Sequence, residues 1–305
     1  METGKKAPAT TLRIGTRGSK LALWQAEFTR QLLTEQNIDS ELVIIKTKGD
    51  QIQHLSFDKI EGKGFFTKEI EDALLRGDVD LAVHSMKDLP TQSPEGLAIA
   101  AVSYREDPAD WLIINKEALD NSSLFQLKSG AIVGTSSARR KAQMLDFRPD
   151  VQFVDLRGNV PTRLEKLQAG QADAILLAAA GLRRLDLDLS RWQVVRLNPK
   201  EFVPAPAQGV LAWQSVRTDK ATREILKSIH QPQVARATNV ERKILQLMGG
   251  GCHMPLGAYC EIDAFGQFHV WAAMAPSWDA PLRRIQRSSA THFQLAEEIA
   301  AALKS

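Results

Sequence analysis

The sequence predicts an α/β protein: two similar α/β domains with a hinge and a cleft between them, followed by a small C-terminal α+β domain. The chain has 305 residues, enough for about two domains or three small ones. Short apolar strands alternate with amphipathic helices through the first two thirds, which is typical of a largely parallel sheet covered by helices. Because this rhythm restarts after a polar stretch at 104–110, we expect two such domains.

The first domain is predicted to comprise residues 10–104 and 205–228. Its first helix begins near Ser19, a favourable capping residue, and Gly77 suits the end of its second helix. In chain order the elements are a strand at 12–17, the first helix, a strand at 42–47, a helix at 65–78 and a buried strand at 79–85. This order is that of βαβ units with parallel strands.

The second domain is predicted at 105–204 and the third at 229–305. In the second, Thr162 and Glu165 form a capping box for a helix that ends at Gly170. Its elements are strands at 111–115, 131–136, 151–158 and 172–178 and the helix at 160–170. The third domain is predicted as a helix at about 233–248, strands at 257–263 and 268–275, and a closing helix at 293–304.

Composition excludes several classes of protein. The net charge of +3 is close to neutral and does not argue for a nucleic-acid partner. The apolar run at 174–182 is too short for a membrane span, and the N-terminus lacks the apolar core of a secretory signal. Two cysteines eight positions apart, Cys252 and Cys260, make a poor disulfide framework and fail zinc spacing. We therefore expect a cytoplasmic protein without a metal site.

The two cysteines lie in different surroundings. Cys252 follows three glycines in "LMGGGCHMPLG" (247–257), where a thiol is presented rather than packed. Cys260 lies in an alternating strand and is expected to be a small core residue. The sequence favours a functional thiol at Cys252, with a structural thiol as the alternative.

Cations occupy the first turn of the helix predicted after Ser136 and Ser137. Arg139, Arg140 and Lys141 oppose the helix dipole there, by roughly 0.3–1 kcal/mol each. An anion held by the backbone N–H groups and the guanidinium groups would remove this conflict. The alternative is a solvated basic face.

Further cations share one kind of position, the end of a predicted strand or the start of a helix. In an open α/β sheet this is the edge at which ligands bind. These cations are Arg17, Lys63, Lys87, Arg157, Arg163, Arg183 and Arg184. They predict an anion-binding cleft for a ligand with several carboxylates or phosphates. Nucleotide-binding glycine motifs and interleaved stacking aromatics are missing, which counts against nucleotides and single-stranded nucleic acid.

One carboxylate lies among these cations. Asp88, in "HSMKDLP" (84–90), directly follows a buried strand and stands beside Lys87. An acid in an anion site is expected to serve chemistry, by holding a developing cation or moving a proton. Capping of the turn before Pro90 is the alternative. His84, inside the strand, is expected to be a core histidine.

Eight segments in order resemble the porphobilinogen deaminase (hydroxymethylbilane synthase) family. They are "IGTRGSKLALWQ", "GKGFFTKEIEDALLRGDVDLAVHSMKDLPT", "REDPAD", "IVGTSSARR", "LRGNVPTRLEKL", "DAILLAAAGLRRL", "PAQG" and "GGGCHMPLGAY". The resemblance implies a three-domain fold whose first two domains are like periplasmic-type binding proteins, with the active cleft between them. Two stretches depart from the family pattern: Gly249 replaces a usual glutamate, and Ala212-Trp213-Gln214 replaces Gly-Ile-Glu.

The resemblance also implies residue roles. Cys252 would carry a dipyrromethane cofactor through a thioether, and Asp88 would be the catalytic aspartate. The residues expected to hold the cofactor are Ser19, Lys87, Ser137, Arg139, Arg140, Arg163 and Arg184. Those expected to bind the substrate are Arg17, Lys63, Arg157 and Gln208.

The implied reaction joins four porphobilinogen molecules head to tail onto the dipyrromethane, with loss of ammonia at each addition. Hydrolysis then releases hydroxymethylbilane, which passes to uroporphyrinogen-III synthase. The family also implies a monomer that needs neither a metal, a nucleic acid nor a membrane. The alternative functions are a non-catalytic hinged binding protein for a polycarboxylate and a regulator that binds nucleic acid.

Overall fold

A computed structural model describes residues 11–47, 67–250 and 254–305; Lys63 and Cys252, both singled out by the sequence, lie outside these ranges. The described residues form two compact units. The first contains 11–47, 67–104 and 211–231, and the second contains 105–210, 232–250 and 254–305.

The first unit is built on a five-stranded mixed sheet. Its strands are β1 (Leu12–Thr16), β2 (Ser40–Ile44), β3 (Leu81–Ser85), β4 (Leu97–Val102) and β10 (Leu211–Val216). The order is β2-β1-β3-β10-β4; β1 pairs in parallel with β2 and β3, whereas β10 is antiparallel to β3 and β4. The helices are α1 (Lys20–Glu35), α2 (Lys68–Arg76) and α6 (Lys220–Lys227).

Local chemistry sets the ends of α1 and α2. The Ser19 hydroxyl accepts a hydrogen bond from the Ala22 N–H at 3.3 Å, which satisfies a free donor of the first turn of α1. Gly77 ends α2 at φ 75°, a left-handed conformation that glycine adopts without steric penalty. Both predicted helix ends are confirmed.

The second unit repeats this sheet arrangement. Its strands are β5 (Asp110–Ile114), β6 (Ile132–Gly134), β7 (Gln152–Val154), β8 (Ala174–Ala178) and β9 (Gln193–Arg196), and its helices begin with α3 (Ala138–Phe147), α4 (Val160–Gln168) and α5 (Ala179–Arg184). The order is β7-β6-β8-β5-β9. β6 pairs in parallel with β7 and β8, and β5 is antiparallel to β8 and β9. In both sheets a parallel core of three strands is therefore followed by an antiparallel strand.

The predicted capping box of α4 is wrong. Asn159, three residues earlier than Thr162, caps this helix: its side-chain oxygen accepts from the Thr162 N–H at 3.0 Å. Pro161 is tolerated in the first turn because backbone N–H groups there have no partner within the helix, so the N–H that proline lacks costs no helical hydrogen bond.

The last part of the chain forms a small α+β layer within the second unit. It consists of α7 (Pro232–Leu247), β11 (Leu256–Ile262), β12 (Phe268–Met274), β13 (Arg283–Ser289) and α8 (Leu295–Lys304). The three strands are antiparallel, and the helices pack on them through a core that includes Ile244, Val270 and Ile299. The predicted fold class, two α/β domains and a C-terminal α+β domain, is confirmed. The exact domain boundaries, the hinge and the cleft stay predictions.

Within the described ranges, no helix combines the length and apolar character that crossing a bilayer requires.

Candidate active site

In the first unit, four predicted site residues follow two neighbouring strands. Arg17 comes directly after β1 and Ser19 caps α1, whereas Lys87 and Asp88 lie in a short 3₁₀ turn, Met86–Asp88, directly after β3. Because β1 and β3 are paired in parallel, these residues lie at the same carboxyl edge of the sheet. Asp88 is exposed, and Lys87 is half-buried. The edge therefore presents a carboxylate and cations together, as the sequence predicted.

His84 lies beneath this edge, in β3. Its side chain is buried, and burial lowers its pKa to about 4, with the positive charge of Arg17 acting in the same direction. A neutral imidazole at neutral pH suits a core position, so the prediction of a core histidine is confirmed.

Gln214, one of the departures from the family pattern, fits its buried surroundings. Its Nε2 donates to Oε1 of the buried Glu71 at 3.0 Å, and the Thr67 hydroxyl donates to the other oxygen of Glu71 at 3.3 Å. A glutamate at position 214 would place a second carboxylate against Glu71. Like charges this close in a buried site disfavour ionisation, which the amide avoids.

In the second unit, the predicted residues follow three neighbouring parallel strands. Ser137 caps α3 after β6, Arg157 follows β7, Arg163 lies in the first turn of α4, and Arg184 ends α5 after β8. Because β7, β6 and β8 are adjacent and parallel, Ser137, Arg157 and Arg163 share one carboxyl edge, whereas Arg184 follows β8 only after the whole of α5. The prediction that cations lie at strand ends or helix starts is confirmed for Arg17, Lys87, Arg157 and Arg163, and it is wrong for Arg183 and Arg184, which end α5. The convergence of the cations on one ligand stays a prediction.

The individual contacts at this edge differ. Arg157 and Arg163 are half-buried, and Nε of Arg163 donates to the Gly158 carbonyl at 2.8 Å. Arg184 is buried, and its Nη2 donates to the Gly209 carbonyl at 2.6 Å. Arg183, beside it, is exposed and pairs with Glu106 at 3.1 Å.

Gly209 lets the "PAQG" turn approach the chain that precedes β5. Its φ is 92°, and a Cβ at this position would lie 2.4 Å from the Glu106 carbonyl oxygen. The preceding Gln208 is fully buried, and its Nε2 donates to the Pro108 carbonyl at 2.8 Å and to Oδ1 of Asp110 at 3.1 Å. The structure therefore places Gln208 inside the fold, against Asp110.

Arg139 and Arg140 share one buried carboxylate. Nη1 of Arg139 donates to Oδ2 of Asp110 at 2.6 Å, and Nη2 of Arg140 donates to Oδ1 at 2.7 Å. Both arginines are 6% exposed and Asp110 is 0% exposed, so a solvated basic face is wrong for this pair. The third cation of the turn, Lys141, pairs with Asp155 at 2.8 Å.

The anion that the first turn of α3 requires is therefore supplied in part by the chain itself. The sequence did not single out Asp110, although it lies in the quoted "REDPAD" segment. The available signal was an acid at the first position of a buried strand, a place where an unpaired carboxylate would be strongly unfavourable.

A comparison with known protein families shows to which family this chain belongs. Residues 12–224 match the family model described as "Porphobilinogen deaminase, dipyromethane cofactor binding domain". The chain belongs to the porphobilinogen deaminase family. The matched range contains all predicted site residues except Cys252.

Curated relatives support the same family over most of the chain. The porphobilinogen deaminase of Chloroherpeton thalassium is 42% identical over 293 residues, covering 94% of this chain and 91% of its own. That of Maridesulfovibrio salexigens is 45% identical over 83% of this chain and 81% of its own, and that of Trichlorobacter lovleyi is 46% identical over 81% and 78%. The predictions of a transferase of this family and of a dipyrromethane cofactor are thereby confirmed.

The residues of the second unit fit a cofactor that carries carboxylates. Within the described ranges, Asp110 is the one carboxylate that forms an ion pair with Arg139 or Arg140, so two guanidinium charges face one negative charge. A buried excess of positive charge is unfavourable until an anion joins it. Among the residues that the structure describes, both hydrogen-bond partners of the Arg139 side chain are reached from Nη1, and its Nε and Nη2 donate to neither of them.

The last described residues before Cys252 are the glycines that end α7. At the end of α7, Gly249 has φ 98° and Gly250 donates its N–H to the Leu245 carbonyl at 2.9 Å, so glycine suits the position where the family usually has glutamate.

Cys260 is 2% exposed, and burial, together with the negative charge of Glu241, raises the pKa of its thiol. The prediction that Cys260 is a packed residue is confirmed.

Proposed function

We propose that the chain condenses four porphobilinogen molecules head to tail onto a dipyrromethane held by Cys252 and releases hydroxymethylbilane by hydrolysis. One observation carries this proposal: the described cations of the predicted site other than Arg184, together with Asp88, follow the carboxyl ends of parallel strands or lie in the first turn of the helix after them. That edge is where open α/β sheets bind ligands. We further propose a cytoplasmic monomer whose product is taken up by uroporphyrinogen-III synthase.

The cations would recognise the carboxylates of the growing chain. Every porphobilinogen ring brings two carboxylates, so the negative charge rises with each addition, and one or two cations would not suffice. Guanidinium groups suit this task because they bind carboxylates with two parallel hydrogen bonds. Arg17 and Lys87 would serve the first unit's edge, and Arg157 and Arg163 the second unit's edge.

Asp88 would stabilise the positive charge that develops when ammonia leaves porphobilinogen. Its carboxylate is exposed at the end of β3 and can accept hydrogen bonds from pyrrole N–H groups. A fixed negative charge at the place where a cation develops lowers the barrier, because the site needs no reorganisation during the reaction. When bound, the dipyrromethane supplies the pyrrole carbon to which the first substrate is joined.

The covalent anchor is tested by the intact mass of the purified chain. We expect an excess of two deaminated porphobilinogen units that is absent from Cys252→Ser. Cys260→Ala is the matched control, since it removes the buried thiol, and it should keep the excess. A native mass without the excess, even after incubation with porphobilinogen, would favour a non-catalytic binding protein.

The role of Asp88 is tested by turnover. Asp88→Asn should lower kcat by about 100-fold or more while substrate binding persists. Asp39→Asn is the control, because Asp39 is an exposed acid that precedes β2, at the opposite edge of the same sheet. Equal activity in both variants would refute the role of Asp88.

A further inference from the structure

The carboxylate of Asp110 is at the centre of a buried polar cluster. It accepts Nη1 of Arg139 on Oδ2 at 2.6 Å, and Nε and Nη2 of Arg140 on Oδ1 at 3.1 and 2.7 Å. Nε2 of Gln208 donates to the same Oδ1 at 3.1 Å. Both oxygens are therefore used, and each arginine is tied to a defined side of the carboxylate.

Backbone carbonyls complete the placement of the two arginines. Nη1 of Arg139 also donates to the Val203 carbonyl at 2.9 Å, and Nη1 of Arg140 donates to the Leu176 carbonyl at 2.9 Å. Each guanidinium is thus held at two points, one of which is Asp110. Two acceptors restrict the rotation of a planar guanidinium group, and loss of Asp110 would remove one of them.

The charge balance of this cluster favours the binding of one more anion. Burial alone would raise the pKa of Asp110, but the charges of Arg139 and Arg140 and their hydrogen bonds lower it overall, so the carboxylate stays ionised. Burial lowers the pKa of Arg139, opposed by Asp110. The cluster therefore contains one negative and two positive charges, and a ligand carboxylate would restore neutrality.

We propose that Asp110 is a positioning residue, which fixes Arg139 and Arg140 in the orientation that receives a cofactor carboxylate and is itself fixed by Gln208. This rests on the proposed function, because it takes the anion to be the dipyrromethane. The positioning role of Asp110 also assigns a role to Gln208 that agrees with its complete burial. Gln208 would hold Asp110 in place and would not contact the substrate.

The proposal is tested by the rate at which the chain acquires its cofactor. Wild type, Asp110→Asn and Asp150→Asn are expressed in cells that cannot make porphobilinogen, and intact mass then follows the adduct after porphobilinogen is added. Asp150→Asn is the matched control: it removes the partner of the buried Arg148 in the same unit, at 2.7 Å, without touching Arg139 or Arg140.

We expect Asp110→Asn to load at least tenfold more slowly than Asp150→Asn when circular dichroism shows both to be folded. Misplacement of binding groups by about 1 Å can lower a rate about 100-fold. Equal loading in the two variants would overturn the positioning role. A wild type that acquires no adduct would instead refute the proposed function, so the two failures are distinguishable.

A second variant covers the case in which Asp110→Asn does not fold. Gln208→Met keeps the side-chain volume but removes the donor to Asp110, and it should slow loading by a smaller factor while the chain stays folded. Loading of this variant at the wild-type rate would overturn the proposed link from Gln208 to the arginines.

Discussion

Neutralisation of Glu241 should strongly weaken the second unit. Its carboxylate is completely buried and receives four hydrogen bonds. Arg105 donates to it from Nη1 at 2.6 Å and Nη2 at 3.3 Å, the Ala207 N–H donates at 2.6 Å, and the Cys260 N–H donates at 2.7 Å. One side chain of α7 thus joins the start of the second unit, the "PAQG" turn and β11.

The expected loss follows from these contacts. Glu241→Gln removes the negative charge that balances Arg105, whose side chain is 13% exposed. Breaking a buried ion pair on one side lowers the free energy of unfolding by about 3–5 kcal/mol. The amide also has only one acceptor oxygen, so either Ala207 or Cys260 loses its acceptor, an effect of about 1–3 kcal/mol by itself. Because the two effects share the same bonds, we expect a total of about 3–5 kcal/mol.

Urea unfolding followed by circular dichroism measures this loss. Glu297→Gln is the control, since Glu297 is half-exposed and Lys243 lies 4.0 Å away, and it should change stability by less than about 0.5 kcal/mol. Arg105→Met combined with Glu241→Gln should be more stable than the sum of the single variants predicts. A loss below about 1 kcal/mol in Glu241→Gln would refute the reasoning.

Two further predictions concern buried titratable groups. The pKa of His84 is lowered to about 4 in the folded chain, whereas the unfolded value is about 6.5, so the unfolded chain binds more protons between these values. Stability should therefore rise from pH 4 to pH 6.5 by about 3 kcal/mol through this group. His84→Gln should flatten that part of the urea stability–pH curve, and an unchanged slope would contradict the assignment. The thiol of Cys260 should resist iodoacetamide: Cys252→Ser should gain no mass when folded and one label in urea, and labelling of the folded chain would contradict its burial.

The two α/β domains and most of their helices were predictable because their signals are local. Capping by Ser19 and the left-handed Gly77 depend on residues within one turn, and apolar alternation indicates a buried strand wherever it packs. β13 was not predicted, because its side chains are polar along its length and largely exposed. It becomes a strand through pairing with β12, which the local sequence does not encode.

The candidate site divides in the same way. The sequence by itself placed Asp88, Arg17, Lys87 and Arg157 after strand ends, since the order of strands and helices fixes which residues follow a strand. It also predicted a packed Cys260, which the structure confirms, and a presented Cys252, which stays a prediction. Only the tertiary structure decided that Asp110 lies between Arg139 and Arg140 and that Gln208 is buried against it. The reason is physical: these partners are 29, 30 and 98 positions from Asp110 along the chain. Sheet pairing and turn geometry bring their polar groups together, and spacing along the sequence does not reveal it.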